Sequence, residues 1–282
     1  MVLEGGGAGR ARAAAVVSTG LGLLAMVSAP LARSAAAPGH ADPAPAATVT
    51  ASASVAPAAG EAPSRPSRTV PKDPEWVHGS GAAKALVYAP AVAAASPRPV
   101  TVLMHGLCGH PQNSCAPFVD VATSRGWLVC PQGEDACGTG ARWHLRPADD
   151  AQVIEDSVAE LGRGHAGDVD GAAGRILVGF SMGGIAAVQI AQSASPGTYA
   201  GLVVIASQIQ PDARALERAG IKRVVFAAGD LDMTSAPLQA DARALDARGL
   251  PTRFVSLGRF GHGYPADMKD RMREPMEWVA GG

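Results

Sequence analysis

"GRILVGFSMGGIAAV", residues Gly174 to Val188, decides how this chain is read. An apolar run of β-branched and aliphatic residues, "RILVGF", has the length and content of a buried strand. It stops at Gly179-Phe180-Ser181-Met182-Gly183 and continues as small residues compatible with a helix. A strand that turns directly into a helix forces its corner residue into a strained conformation, and positions two away on either side must be small to avoid a clash. Gly179 and Gly183 satisfy that demand, and Gly184 adds room. The corner lifts the Ser181 hydroxyl clear of the backbone and aims the first N–H groups of the helix at the same point.

Outward from this corner, strand-like and helix-like patterns alternate. "KALVYAP", "RPVTVLMHG", "WLVCPQG", "GLVVIAS", "RVVFAAG" and "TRFVSLG" read as strands. "SCAPFVDVATSRG", "ADDAQVIEDSVAELG", "GIAAVQIAQSA", "DARALERAG", "APLQADARALDARG" and a last stretch from about Ala266 to Val279 read as helices. Asp149 and Asp150 stand before the apolar periodicity of Ile154, Val158 and Leu161, and Gly162 is read as its stop. The alternation specifies an α/β fold: a doubly wound, mostly parallel sheet covered on both faces. Ligands of such sheets bind beyond the carboxyl ends of the strands. Ser181, Asp230, Asp232, His262 and the pair His105-Gly106 all fall there.

A serine hydroxyl needs a base, and the base needs an acid that fixes its tautomer. Of seven histidines, His262 in "GRFGHGYP" follows the last strand on a glycine-flanked loop and is expected to be the base. His105 directly precedes Gly106 and is expected to buttress its loop. "AAGDLDMTSAP" offers two acids; Asp232 is preferred over Asp230 because it stands further into the loop. The Met182 N–H and the Leu107 N–H, with Cys108 as the alternative, are the expected oxyanion donors. Trp143 is either a wall of the substrate pocket or a packed loop anchor.

The 282 residues carry 24 basic and 25 acidic side chains, a balance that excludes a nucleic-acid surface or polybasic membrane contact. Residues 1–37 read as an export signal: Arg10 and Arg12 precede a soft apolar run, with cleavage near Ala36 or Ala37. The arginines are not adjacent, as a twin-arginine signal requires, and no cysteine precedes Cys108 to accept a lipid. No stable membrane anchor is therefore expected. Residues 38–70 read as an Ala/Pro/Ser-rich disordered linker, and 71–282 as one catalytic domain. An exported chain permits disulfides. Proximity favours Cys108–Cys115 and Cys130–Cys137, and the absence of any C-x-x-C spacing argues against zinc. Neither metal nor cofactor is expected, and nothing in the chain speaks to its oligomeric state.

"HGLCG", "GFSMGG", "GDLD" and "GHGYP", in that order, resemble the oxyanion loop, nucleophile, acid and base of the α/β-hydrolases. The resemblance spans nearly everything after Ala82 and is nearest to compact serine carboxylesterases and the polyhydroxyalkanoate-depolymerase and dienelactone-hydrolase-like group. Dienelactone hydrolases themselves use cysteine, and epoxide hydrolases aspartate, where this chain has Ser181. Only "QIQPDARALERAG" stands where that superfamily often inserts a cap, so no large lid domain is expected. The resemblance implies cleavage of carboxylic esters, small or at polymer ends, through an acyl-enzyme on Ser181, His262 and Asp232 without a cofactor. Perhydrolase or haloperoxidase-type chemistry, peptidase activity, and an exported binding protein that keeps the fold without turnover are the alternatives.

Overall fold

The computed structural model describes residues 73–80, 84–92, 96–172 and 174–281. The expected export signal and linker lie outside them. Among the described residues ten strands and seven helices follow one another: β1 (Glu75–His78), β2 (Lys84–Tyr88), β3 (Val100–Met104), α1 (Pro111–Cys115), α2 (Val119–Thr123), β4 (Trp127–Pro131), β5 (Asp135–Cys137), β6 (Gly140–Arg142), α3 (Pro147–Gly164), β7 (Arg175–Phe180), α4 (Met182–Ser193), β8 (Tyr199–Ile205), α5 (Ala213–Arg218), β9 (Arg223–Ala228), α6 (Ser235–Asp246), β10 (Thr252–Ser256) and α7 (Met268–Val279).

Eight strands form one sheet in the order β1-β2-β4-β3-β7-β8-β9-β10. β1–β2 and β2–β4 are antiparallel and every later pair is parallel. β7, the strand before Ser181, is central, and five of its six residues are buried. Continuous apolar content follows from that position, since both of its faces are covered. On one face Val153, Ile154, Val158, Leu161, Ala186, Ala187, Ile190, Leu216 and Leu238 pack α3 to α6 against the strands. On the other, Phe118, Val121, Met272 and Met276 bring in α2 and α7. Small residues on α4 let it lie close against the sheet.

Three local readings need correction. The single helix expected over "SCAPFVDVATSRG" is two short helices joined by a 3-10 turn at Ala116–Phe118, where Pro117 lacks the N–H that continuation requires. α3 runs from Pro147 to Gly164, so Asp149 and Asp150 stand in its first turn rather than before it, Asp150 is buried, and Gly162 lies within the last turn instead of stopping the helix. β1 and the β5–β6 hairpin were not anticipated.

The cysteines also pair differently. The bridges are Cys108–Cys137 and Cys115–Cys130, with Cα separations of 4.8 and 6.4 Å, and the expected Cys108–Cys115 and Cys130–Cys137 pairs do not form. Cys115 ends α1 and faces Cys130 of the adjoining sheet, both without exposure. The β5–β6 hairpin folds back on the loop after β3, where Ala141 N–H donates to Gly109 O at 3.0 Å, and this delivers Cys137 to Cys108. Nearness along the chain was outweighed by strand order.

Candidate active site

Ser181 sits between β7 and α4 with φ 52° and ψ −120°, a left-handed conformation that costs a non-glycine residue of order 1–3 kcal/mol. The surrounding packing holds it there. A Cβ on Gly179 would lie 2.3 Å from Gly183 O, and one on Gly183 would lie 2.4 Å from both Met104 O and His105 O. The corner therefore exists only with glycine at these positions. Ser207 Oγ donates to Ser181 O at 2.7 Å and ties the corner to the end of β8.

His262 bridges the hydroxyl to a carboxylate. Its Nδ1 is 2.8 Å from Asp232 Oδ2, and its Nε2 is 2.9 Å from Ser181 Oγ. An ionised carboxylate only accepts, so Nδ1 carries the proton and Nε2 receives the hydroxyl's. The imidazole ring packs 5.3 Å from the Phe180 ring, and its side chain is half exposed. Asp232 is 6% exposed. Burial alone would raise its pKa. Hydrogen bonds from Thr234 N–H (2.8 Å), Thr234 Oγ1 (2.9 Å) and His262 outweigh that and hold the carboxyl below its ordinary range. Asp230 is exposed and accepts from Ser256 Oγ, away from this chain of contacts. Thr234 was not singled out from the sequence, although Asp-x-Thr is a recognisable side-chain-to-backbone turn.

The loop after β3 nests against the corner. A Cβ on Gly106 would be 3.0 Å from the Phe180 ring and 3.2 Å from Ser181 Cβ. Gly109 N–H donates to Gly106 O at 3.0 Å, closing a turn with Cys108 at φ 51° and Leu107 60% exposed. His105, fully buried, sends Nδ1–H to Gly106 O (2.7 Å) and accepts from Gly133 N–H at Nε2 (3.0 Å). Accepting from Gly133 N–H requires a lone pair on Nε2, so the ring is the neutral Nδ1–H tautomer, and burial, the largest influence, pushes its pKa down in the same sense. The expected buttressing role of His105 matches these bonds.

Trp143 is 1% exposed and donates Nε1–H to His105 O at 2.8 Å. Its place is the packed loop anchor; the substrate-wall reading does not fit a side chain closed to solvent. A groove of about 900 Å³ lined by Ala151, Arg175, Ile190 and Tyr199 contains neither Ser181 nor His262. Among the described residues no cluster of three or more His, Cys, Asp or Glu could hold a metal.

No known family profile matches the chain, and no curated protein matches it in sequence. Its fold is matched among solved structures. Esterase PE8 aligns with 68% of this chain and 97% of its own at a TM-score of 0.54 and 19% identity. FphF, a fluorophosphonate-binding serine hydrolase of Staphylococcus aureus, aligns over 74% of this chain and 100% of its own (TM-score 0.55, 13% identity). A ferulic acid esterase aligns over 73% and 96% (TM-score 0.55, 14% identity). The mostly parallel eight-stranded sheet with helices on both faces agrees with these matches, and the chain has the α/β-hydrolase fold, with no large lid among the described residues.

Proposed function

We propose that the protein is an exported serine hydrolase that cleaves carboxylic esters through an acyl-enzyme. The observation that carries this reading is the continuous path from Ser181 Oγ through the His262 ring to buried Asp232, with the serine at a strained corner on a helix N-terminus. Ser181 Oγ attacks the ester carbonyl as His262 Nε2 takes its proton. The carboxylate of Asp232 holds the ring tautomer and stabilises the imidazolium. The developing oxyanion is met by the N–H of Met182, first residue of α4, and of Leu107. His262 then protonates the departing alcohol, and a water activated by the same imidazole releases the acid.

Three features support details of this reading. Leu107, Leu231, Met233 and Phe260, all exposed, stand on the three loops that carry the site, which suits uncharged esters with apolar groups. No cap helix stands between β8 and β9 beyond the six-residue α5, so long or bulky esters can approach. Two disulfides fit an oxidising compartment, and no helix of the described residues is long and apolar enough to cross a membrane.

A fluorophosphonate probe, followed by peptide mapping, is expected to label Ser181. Ser181→Ala is expected to lose both labelling and p-nitrophenyl ester turnover while keeping the wild-type Tm. Full turnover by that variant would overturn the assignment.

A further inference from the structure

Two acids outside the triad converge on one N–H. His144 N–H lies 3.3 Å from Glu134 Oε2 and 3.2 Å from Asp150 Oδ1. Asp150 has no exposure, and Asp150 Oδ2 and Glu134 Oε1 are buried with no hydrogen-bond donor among the described residues. Two ionised carboxylates side by side and out of water repel, and their remaining lone pairs go unmet. One proton held between them removes both penalties.

We propose that Asp150 and Glu134 share one proton, and that this proton positions the Gly106–Leu107 peptide for oxyanion binding. The inference rests on the ester-hydrolase reading of Ser181.

The route is short. Glu134 and His144 are the two ends of a strap that contains β5 and β6, and the acid pair closes its neck. Both ends of the strap grip His105. Gly133, next to Glu134, donates N–H to the ring, and Trp143, next to His144, donates Nε1–H to the carbonyl. The ring in turn pins Gly106 O, assisted by Gly109 N–H. Gly106 C=O and Leu107 N–H belong to one planar trans peptide, so fixing the oxygen on one side fixes where the N–H points on the other. The strap's middle is tied to the same turn through Cys137–Cys108. Asp150 and Glu134 are thus positioning residues: they act through His105 and touch no substrate.

The charges facing the pair agree with a shared proton. Burial first, then the hydrogen bond with Glu134 and its charge, push Asp150 up to about 7, against the opposing pull of His144. The hydrogen bond to Asp135 at 3.0 Å raises the His144 pKa, and the ring lies 3.9 Å from Glu134 and 3.8 Å from Asp149. Arg146 pairs with Asp149, Arg142 with Asp135, and neutral His105 also faces Glu134. A carboxyl whose pKa is raised on folding stabilises the fold fully below its unfolded value and loses that contribution as pH rises through the folded one. The stability it contributes therefore declines from about pH 4 upward and is gone above about pH 7, whereas the folded protein itself gives up the shared proton only as pH passes about 7.

Asp150→Asn tests this, because the amide still accepts from His144 N–H and can donate to Glu134 with no proton to lose; Glu134→Gln is the second variant. Relative to wild type, kcat for p-nitrophenyl acetate is expected to rise about threefold or more from pH 6 to pH 8.5 in Asp150→Asn, with the KM ratio flat, since an oxyanion contact acts on the transition state. The Tm difference between the two proteins is expected to widen in favour of the variant over the same range. Parallel kcat profiles and parallel Tm profiles for both variants would overturn the proposal. Retained activity in Ser181→Ala would overturn the hydrolase reading instead, and the Tm profiles would then still judge the shared proton.

Discussion

Replacing Trp143 by phenylalanine asks whether this indole is a strut or part of a pocket. The side chain is closed to solvent, bonds His105 O at 2.8 Å, and lies 5.0 Å from the His105 ring. A phenyl ring keeps much of the apolar packing but loses the donor and one ring. Leaving the buried His105 carbonyl without that partner costs ~1–3 kcal/mol. The space vacated adds ~1 kcal/mol, partly recovered by relaxation. Together these give ~2–4 kcal/mol, and a domain of this size shifts by roughly 2–4 °C for each. Thermal unfolding followed by circular dichroism should show a Tm lower by roughly 5–15 °C. Because the lost bond steadies the loop that bears Leu107 rather than an acyl group, turnover of acetate and octanoate aryl esters should fall in parallel. Their kcat/KM ratio should move by less than about twofold. An unchanged Tm together with a ratio altered by about tenfold would mean that the indole contacts substrate, and the strut reasoning would be wrong.

Asp232→Asn should lower kcat by about 10³–10⁴-fold, because an amide can stabilise the wrong imidazole tautomer, while Asp230→Asn should change it by less than about threefold. Equal losses in the two variants would sink the distinction drawn from geometry. Asp232's depressed pKa also contributes stability that is present above its unfolded value and is lost as pH falls through the folded one. Wild-type Tm should therefore decline more steeply than that of Asp232→Asn below about pH 4. The two bridges should separate by effect. Cys115→Ala/Cys130→Ala removes a buried link across 15 residues and should cost ~3 kcal/mol of stability with kcat per folded molecule retained. Cys108→Ala/Cys137→Ala frees the turn bearing Leu107 and should lower kcat by about tenfold or more. Non-reducing peptide mapping checks the pairing directly.

The convergence of Ser181, Asp232 and His262 was legible because each position depends on its immediate neighbours. A hydroxyl at a strand–helix corner needs small residues on either side, and Gly179 and Gly183 stand there. A base and an acid on loops after late strands reach the same sheet edge once the strands run parallel. β1 was missed because a four-residue antiparallel edge strand, half exposed, lacks the continuous apolar run of a central one. The β5–β6 hairpin was missed because three-residue strands carry no periodicity at all.

By itself, then, the amino-acid order determined the sheet, the strained corner and the placing of Ser181, Asp232 and His262 after successive strands, since hydrophobic period and steric demand act over a few residues. Only the tertiary structure decided that Cys108 meets Cys137, that Trp143 turns inward to hold His105, and that Asp150 lies buried beside Glu134. Those outcomes depend on which loops strand order brings together, and a contact across many residues leaves no mark on the local pattern at either end.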